Sequence, residues 1–198
     1  MSMKFFIRYD FIGAANFLLN EQFGLTLPNP WPVWDGRTVI KEAGGRGNKE
    51  YGWLWKQGVQ AGLFRYGHVK RGAFRVFNEL QKQGHEMVAI TKRPKTVRAD
   101  TYEWLGFMRF AFDEVHILGP NTNKSTVPHC DVYIDDSSGN IDDLLRAGKK
   151  NVCLLDYPHN RGDNKPALDG YNRVESLEQF GGLVTYYATT EAETVDVP

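Results

Sequence analysis

The sequence predicts an α/β protein, a three-layer parallel sheet carrying a small aromatic-rich insertion. Short apolar, β-prone runs alternate with amphipathic segments of helix length. Helices of about ten residues between the runs are the length that right-handed crossovers between parallel strands need. Polar residues fall just behind the runs, at the carboxyl ends of strands, where open α/β sheets place their chemistry.

The first run, Lys4 to Tyr9, is apolar apart from Arg8 and suits a central strand buried on both faces. Phe17, Leu18 and Leu19 mark a following helix that ends near Gly24. Residues 25–67 then change character: they are rich in proline and glycine and contain Trp31, Trp34, Tyr51, Trp53 and Trp55. So many aromatics argue for a small packed cap rather than a loose linker. They serve either as the cap's own core or as ligand contacts, with Trp53 and Trp55 the candidates for stacking. Ala73, Val76, Phe77 and Leu80 give helical spacing within Val69 to Gln83, closed by Gly84. His85 to Thr91 reads as a strand, Val97 to Leu105 as a helix, and Glu114 to Leu118 as a strand. Asp131 to Ile134 and Asn151 to Leu155 are further strands, with a helix from Ile141 to Ala147 between them. The expected division is a core of residues 1–24 and 68–185, an insertion at 25–67 and a frayed acidic tail at 186–198.

Composition narrows the function. Lys plus Arg number 24 and Asp plus Glu 24, so no long-range field draws the chain to nucleic acid or to an anionic membrane. The apolar runs are too short for a signal peptide or a membrane span, and a cytosolic protein is expected. Cys130 and Cys153 have no CxxC spacing and are expected as buried reduced thiols. The five histidines lack the partner spacing of a zinc site.

Three signals stand at predicted strand or loop ends: ITKRP (90–94), NKSTV (123–127) and YIDDSSGNI (133–141). Singly, each has an ordinary explanation, since carboxylates favour helix N-termini and a lone lysine is usually solvated. In this order, the chain resembles the haloacid dehalogenase (HAD) superfamily and, within it, the 5'(3')-deoxyribonucleotidases of phage and bacterial type. TKRP followed by TYEWL, then NKS, IDDSSGN, DYPHNR and the RV at 173–174 carry the resemblance, across residues 69 to 174. It implies a HAD-like Rossmannoid core, hydrolysis of a nucleoside monophosphate, Mg²⁺ as cofactor and a homodimer. It also implies catalytic roles for Asp10, Thr91 and Lys124, metal ligation by Asp10, Asp135 and Asp136, and phosphate contacts from Arg8, Thr91, Lys92, Arg93 and Lys124.

One position departs from the pattern. Aligned with the family's D-x-D-G-V, the chain places Arg8 on the nucleophile, Asp10 on the acid/base and Phe11 on the glycine. A guanidinium stays protonated and cannot attack phosphorus. Taking Asp10 as the nucleophile instead leaves Ile12, which moves no proton, in the acid/base place. Arg8 is left with three roles: a cation replacing Mg²⁺ opposite Asp135 or Asp136, a fork for phosphate beside Thr91 and Lys124, or a plain structural ion pair. The functional expectations are a nucleotidase weakened by Arg8 and, alternatively, a non-hydrolysing nucleotide or phosphate binder.

Overall fold

The computed structural model describes residues 2–5, 10–127 and 130–195. Among them, six parallel strands form one sheet: β1 (Ser2–Phe5), β2 (Glu86–Thr91), β3 (Glu114–Ile117), β4 (Tyr133–Asp135), β5 (Val152–Leu155) and β6 (Tyr171–Val174), in the order β3-β2-β1-β4-β5-β6. The chain builds outward from β1 to β2 and β3, then returns to add β4, β5 and β6 on the other side. Such a reversal opens a crevice beyond the carboxyl ends of the central strands.

The helices are α1 (Phe11–Phe23), α2 (Gly36–Glu42), α3 (Asn48–Trp53), α4 (Ala73–Lys82), α5 (Arg98–Phe107), α6 (Ser138–Arg146) and α7 (Leu177–Val195). Alternation along β5 shows the layering. Val152 and Leu154 join Val88, Ile90, Ile141 and Leu144 in one cluster under α6. Cys153 and Leu155 join Met87, Val76, Phe77, Leu80, Phe180 and Val184 in another, beneath α4 and α7. Both faces of the sheet are therefore covered, and the strand reads as apolar throughout.

A third cluster joins residues of the 25–67 segment to helices outside it. Trp31, Val39, Ile40, Leu54 and Leu63 pack with Ile12, Ala15 and Leu19 of α1 and with Trp104 and Leu105 of α5. The segment's aromatics thus share a core with the main body instead of making one of their own. Close approach is built in at Gly36, where a Cβ would come within 2.6 Å of the Trp31 ring and 2.8 Å of Tyr51.

Among the differences between expected and observed elements, three concern element ends. The first strand is described over Ser2–Phe5, and residues 6–9, Arg8 included, lie outside the described residues. The helix expected from Val69 starts at Ala73, because Gly72 takes a left-handed conformation (φ 83°) in front of it. The frayed tail expected from residue 186 is corrected to helix as far as Val195, with 196–198 outside the described residues. Leu177, Phe180 and Val184 anchor α7 in the core, and Tyr187 and Ala188 continue the same stripe. Two glycines and four threonines had masked that stripe. Among the described residues, no helix is long and apolar enough to cross a membrane.

Cys130 and Cys153 are free and buried. Burial pushes the Cys153 thiol up to about 12. The fold therefore holds this proton more tightly than the unfolded chain does. The associated stability is complete below the ordinary thiol value of 9.0 and is lost as pH rises through about 12. The native protein is expected to leave both thiols unreacted with an aromatic disulfide reagent at mildly alkaline pH, and to release two equivalents per chain after denaturation. Rapid reaction of a thiol before unfolding would contradict the burial.

Candidate active site

At the carboxyl ends of β2, β4 and β5 lies a cavity of about 610 Å³. Its walls are aromatic: Phe11 from α1, and Trp31, Trp34, Tyr51, Trp55 and Phe64 from the segment between α1 and α4. Phe11 and Trp55 stack with ring centroids 5.6 Å apart and an interplanar angle of 24°. Polar residues lie where the strands end: Thr91 and Lys92 at β2, Lys124 from the loop before β4, Asp135 and Asp136 at β4, and Asn140 in the first turn of α6.

Lys124 and Asp135 form the centre of this polar group. Lys124 Nζ donates to Asp135 Oδ2 at 2.7 Å, and Asn140 Nδ2 donates to the same oxygen at 3.0 Å. The other carboxylate oxygen accepts from Ser137 N at 2.9 Å. Lys124 is 8% exposed and Asp135 3%, so the pair is held away from water, where charges need partners.

Asp136 is engaged differently. Its Oδ2 lies 3.1 Å from His159 Nε2, and its carbonyl accepts from Asn160 Nδ2 at 2.9 Å. The carbonyl is also 3.3 Å from His159 Nε2. Both oxygens facing Nε2 are acceptors, so that nitrogen carries the proton. His159 stacks on Tyr157 (5.5 Å, 11°) and meets the Trp34 ring at 4.8 Å. Asn160 is itself tied to Leu155 O and Arg173. Arg173 also pairs with Asp156, whose carboxyl is held below the usual range chiefly by its hydrogen bonds from Arg161 and then from Arg173.

The remaining expected residues divide. Thr91 lines the cavity, its hydroxyl accepting from Arg93 N at 3.2 Å, and Lys92 lines it half-buried. Arg93 reaches the wall, but its guanidinium donates to Phe64 O and Thr101 Oγ1, both at 3.3 Å. The same group lies 5.2 Å over the Phe64 ring and 5.1 Å over Trp104, so the expected phosphate contact is here a strut between β2 and the aromatic wall. Asp10 caps α1, accepting from Gly13 N at 3.0 Å, while Phe11 and Ile12 beside it line the cavity. Trp55 belongs to the wall, whereas Trp53 packs edge-on against Phe23 instead. Arg8 lies outside the described residues.

His159 and its contact with Trp34 were not anticipated. In sequence, DYPHNR carries part of the family resemblance, and its histidine is one of five that lack the partner spacing of a metal site. No spacing rule pairs residue 159 with residue 136; only the adjacency of β4 and β5 does.

Asp135 and Asp136, two of the acids expected to hold Mg²⁺, stand side by side at the end of β4 and line the cavity. Among the described residues, no three His, Cys, Asp or Glu side chains gather as a metal site. Of the three acids assigned to the ion, Asp135 accepts from Lys124, Asn140 and Ser137 N, Asp136 lies 3.1 Å from His159 Nε2, and Asp10 caps α1. Mg²⁺ is commonly held by one or two carboxylates with waters and substrate phosphate completing its shell, so Asp135 and Asp136 are the described residues that would hold it.

Comparison with known proteins supports the fold and the family. In solved structures the fold is similar to that of a predicted phosphatase from Clostridium acetobutylicum, with 12% identity, a TM-score of 0.57, and coverage of 93% of this chain and 98% of that one. It is also similar to a phosphonoacetaldehyde hydrolase-like protein from Oleispira antarctica, with 14% identity, a TM-score of 0.54, and coverage of 94% and 91%. Both likenesses concern the fold. In sequence, the chain is 29% identical over 104 residues to a nucleotidase of Clostridium acetobutylicum, covering 52% of each protein. The match thus spans about half the length of that relative. The profile of the family described as "5' nucleotidase, deoxy (Pyrimidine), cytosolic type C protein" matches residues 9–184, beginning one position after Arg8. A match of that extent, over a HAD-like α/β fold with its polar residues at the strand ends, makes this chain a member of the 5' nucleotidase, deoxy (pyrimidine), cytosolic type C family.

Proposed function

We propose that the cavity binds a nucleoside monophosphate and that the chain hydrolyses it slowly, the loss of an aspartate at position 8 having removed the nucleophile. One observation carries this reading: the buried Lys124–Asp135–Asn140 group, with Thr91 on the neighbouring strand end, lies within an aromatic-walled cavity. Ammonium and hydroxyl donors suit phosphoryl oxygens, and flat aromatic walls suit a base. With no carboxylate at residue 8, hydrolysis falls to a water attacking phosphorus directly, the nucleoside oxygen leaving with a proton. Oriented binding alone accelerates such a step far less than a covalent route does.

A second reading is a pseudo-phosphatase that holds the ligand without turnover. The engagement of Asp10 as the cap of α1 favours it, because the acid/base expected there is then already hydrogen-bonded to the helix terminus.

Release of inorganic phosphate from deoxynucleoside 5'-monophosphates with Mg²⁺ present separates the two. Turnover is expected below ~1 per second, under the ordinary enzyme range. Arg8→Asp is expected to raise it by about tenfold or more, since each tenfold in rate corresponds to about 1.4 kcal/mol of barrier. Turnover of ordinary size in the unaltered chain would refute the impairment, and a folded but inert Arg8→Asp would favour the binder. For the base, Trp55→Ala is expected to change the order of affinities among the four deoxynucleoside monophosphates, whereas Trp53→Ala leaves that order intact. Competition binding reads both, and the opposite pattern would move base recognition away from the cavity wall.

A further inference from the structure

We infer that Arg93 is a positioning residue for the base end of this site: it holds the aromatic wall at a fixed reach from Thr91, so that the cavity prefers phosphate esters carrying a base. The inference rests on the reading of the cavity as a nucleoside monophosphate site and adds the residue that sets its length.

Arg93 is tied at both of its ends. Its backbone N donates to the Thr91 hydroxyl at 3.2 Å, at the polar end of the cavity. Pro94 directly after it disfavours a helical turn at residue 93, which keeps the backbone there extended. The side chain of this buried residue leads away to other partners, its guanidinium donating to Phe64 O and to Thr101 Oγ1. The Thr101 hydroxyl gives its own proton to Val97 O at 2.9 Å, so toward Arg93 it acts as an acceptor. Phe64 and Trp104 present their rings to the same guanidinium, at 5.2 and 5.1 Å from its carbon.

Phe64 passes this constraint to the wall. Its ring centroid lies 6.2 Å from that of Phe11 and 5.9 Å from that of Trp55, and all three residues line the cavity. Trp104 of α5 donates through Nε1 to Gly67 O at 2.7 Å, which secures the chain three residues further on. A guanidinium is a flat fork that serves two acceptors and offers its faces to rings, whereas an ammonium is a compact point charge. Thr91 and Lys92 contact the phosphoryl group on the proposed reading, and residue 93, next in the same run, governs the opposite end of the ligand.

The test is calorimetric titration of the full chain, in millimolar Mg²⁺, with thymidine 5'-monophosphate and with 2-deoxyribose 5-phosphate, which has the same phosphate and sugar and no base. Arg93→Lys keeps the charge and removes the fork. It is expected to weaken the nucleotide by about tenfold and the sugar phosphate by less than about threefold. Thr101 is not among the cavity-lining residues, so Thr101→Val loosens the guanidinium without touching the ligand. It is expected to shift the ratio of the two dissociation constants in the same direction by about threefold, and it carries the test where Arg93→Lys does not fold. Equal weakening of both ligands in folded variants would assign Arg93 to the phosphate or to the fold at large, and unchanged binding of both would leave it no role. Either result overturns the inference and leaves the cavity reading standing. An unaltered chain that binds neither ligand would overturn that reading itself.

Discussion

The Lys124–Asp135 bond joins three parts of the chain that are separate in sequence: the turn before β4, the end of β4, and, through Asn140 and Ser137, the start of α6. Such a pair adds little net stability, because stripping water from two ions costs about as much as their attraction returns, but removing one partner costs roughly 3–5 kcal/mol. Its value here is geometric. β4 lies beside β1 at the reversal of the sheet, so whatever fixes the end of β4 fixes the floor of the crevice. The reversal of the sheet and the polar floor of the cavity therefore meet at one place.

The aromatic wall is fitted to that floor from above. Phe11 contacts Trp31, Trp55 and Phe64 at ring separations of 5.6 to 6.2 Å, so a residue of α1 is the common neighbour of the segment's rings. Phe11, which the sequence reading sets against the glycine of D-x-D-G-V, is part of the wall.

Much of the architecture was legible because the physics behind it is local. Apolar runs such as MVAI and VCLL cannot face water on either side, which identifies them as inner strands of a covered sheet. Thr91, Lys124, Asp135 and Asp136 were legible as strand-end and loop polar residues, and they do gather at one cavity. What escaped was set by contacts between distant segments. Arg93 reads in sequence as a cation next to a phosphate-binding threonine, but Phe64, some thirty residues earlier, supplies the carbonyl and the ring that occupy it. β6 pairs with β5 at the edge of the sheet, and its YNRV carries only one fully buried residue, too weak a pattern to mark a strand. The helical reach of α7 depends on a surface that α4 provides.

The 25–67 segment is fastened at both stems. On the outgoing side Asn16 Nδ2 donates to Leu27 O and Pro28 O while its Oδ1 accepts from Trp31 Nε1 at 2.8 Å. On the returning side Arg93 holds Phe64 O, Trp104 Nε1 holds Gly67 O at 2.7 Å, and Asp10 N holds His68 O. A lid needs at least one slack stem to swing on, and these stems are both tethered to helices or strand ends of the main body. The aromatic surface is accordingly a wall held at both ends, and Trp34 and Trp55 are its tryptophans that face solvent.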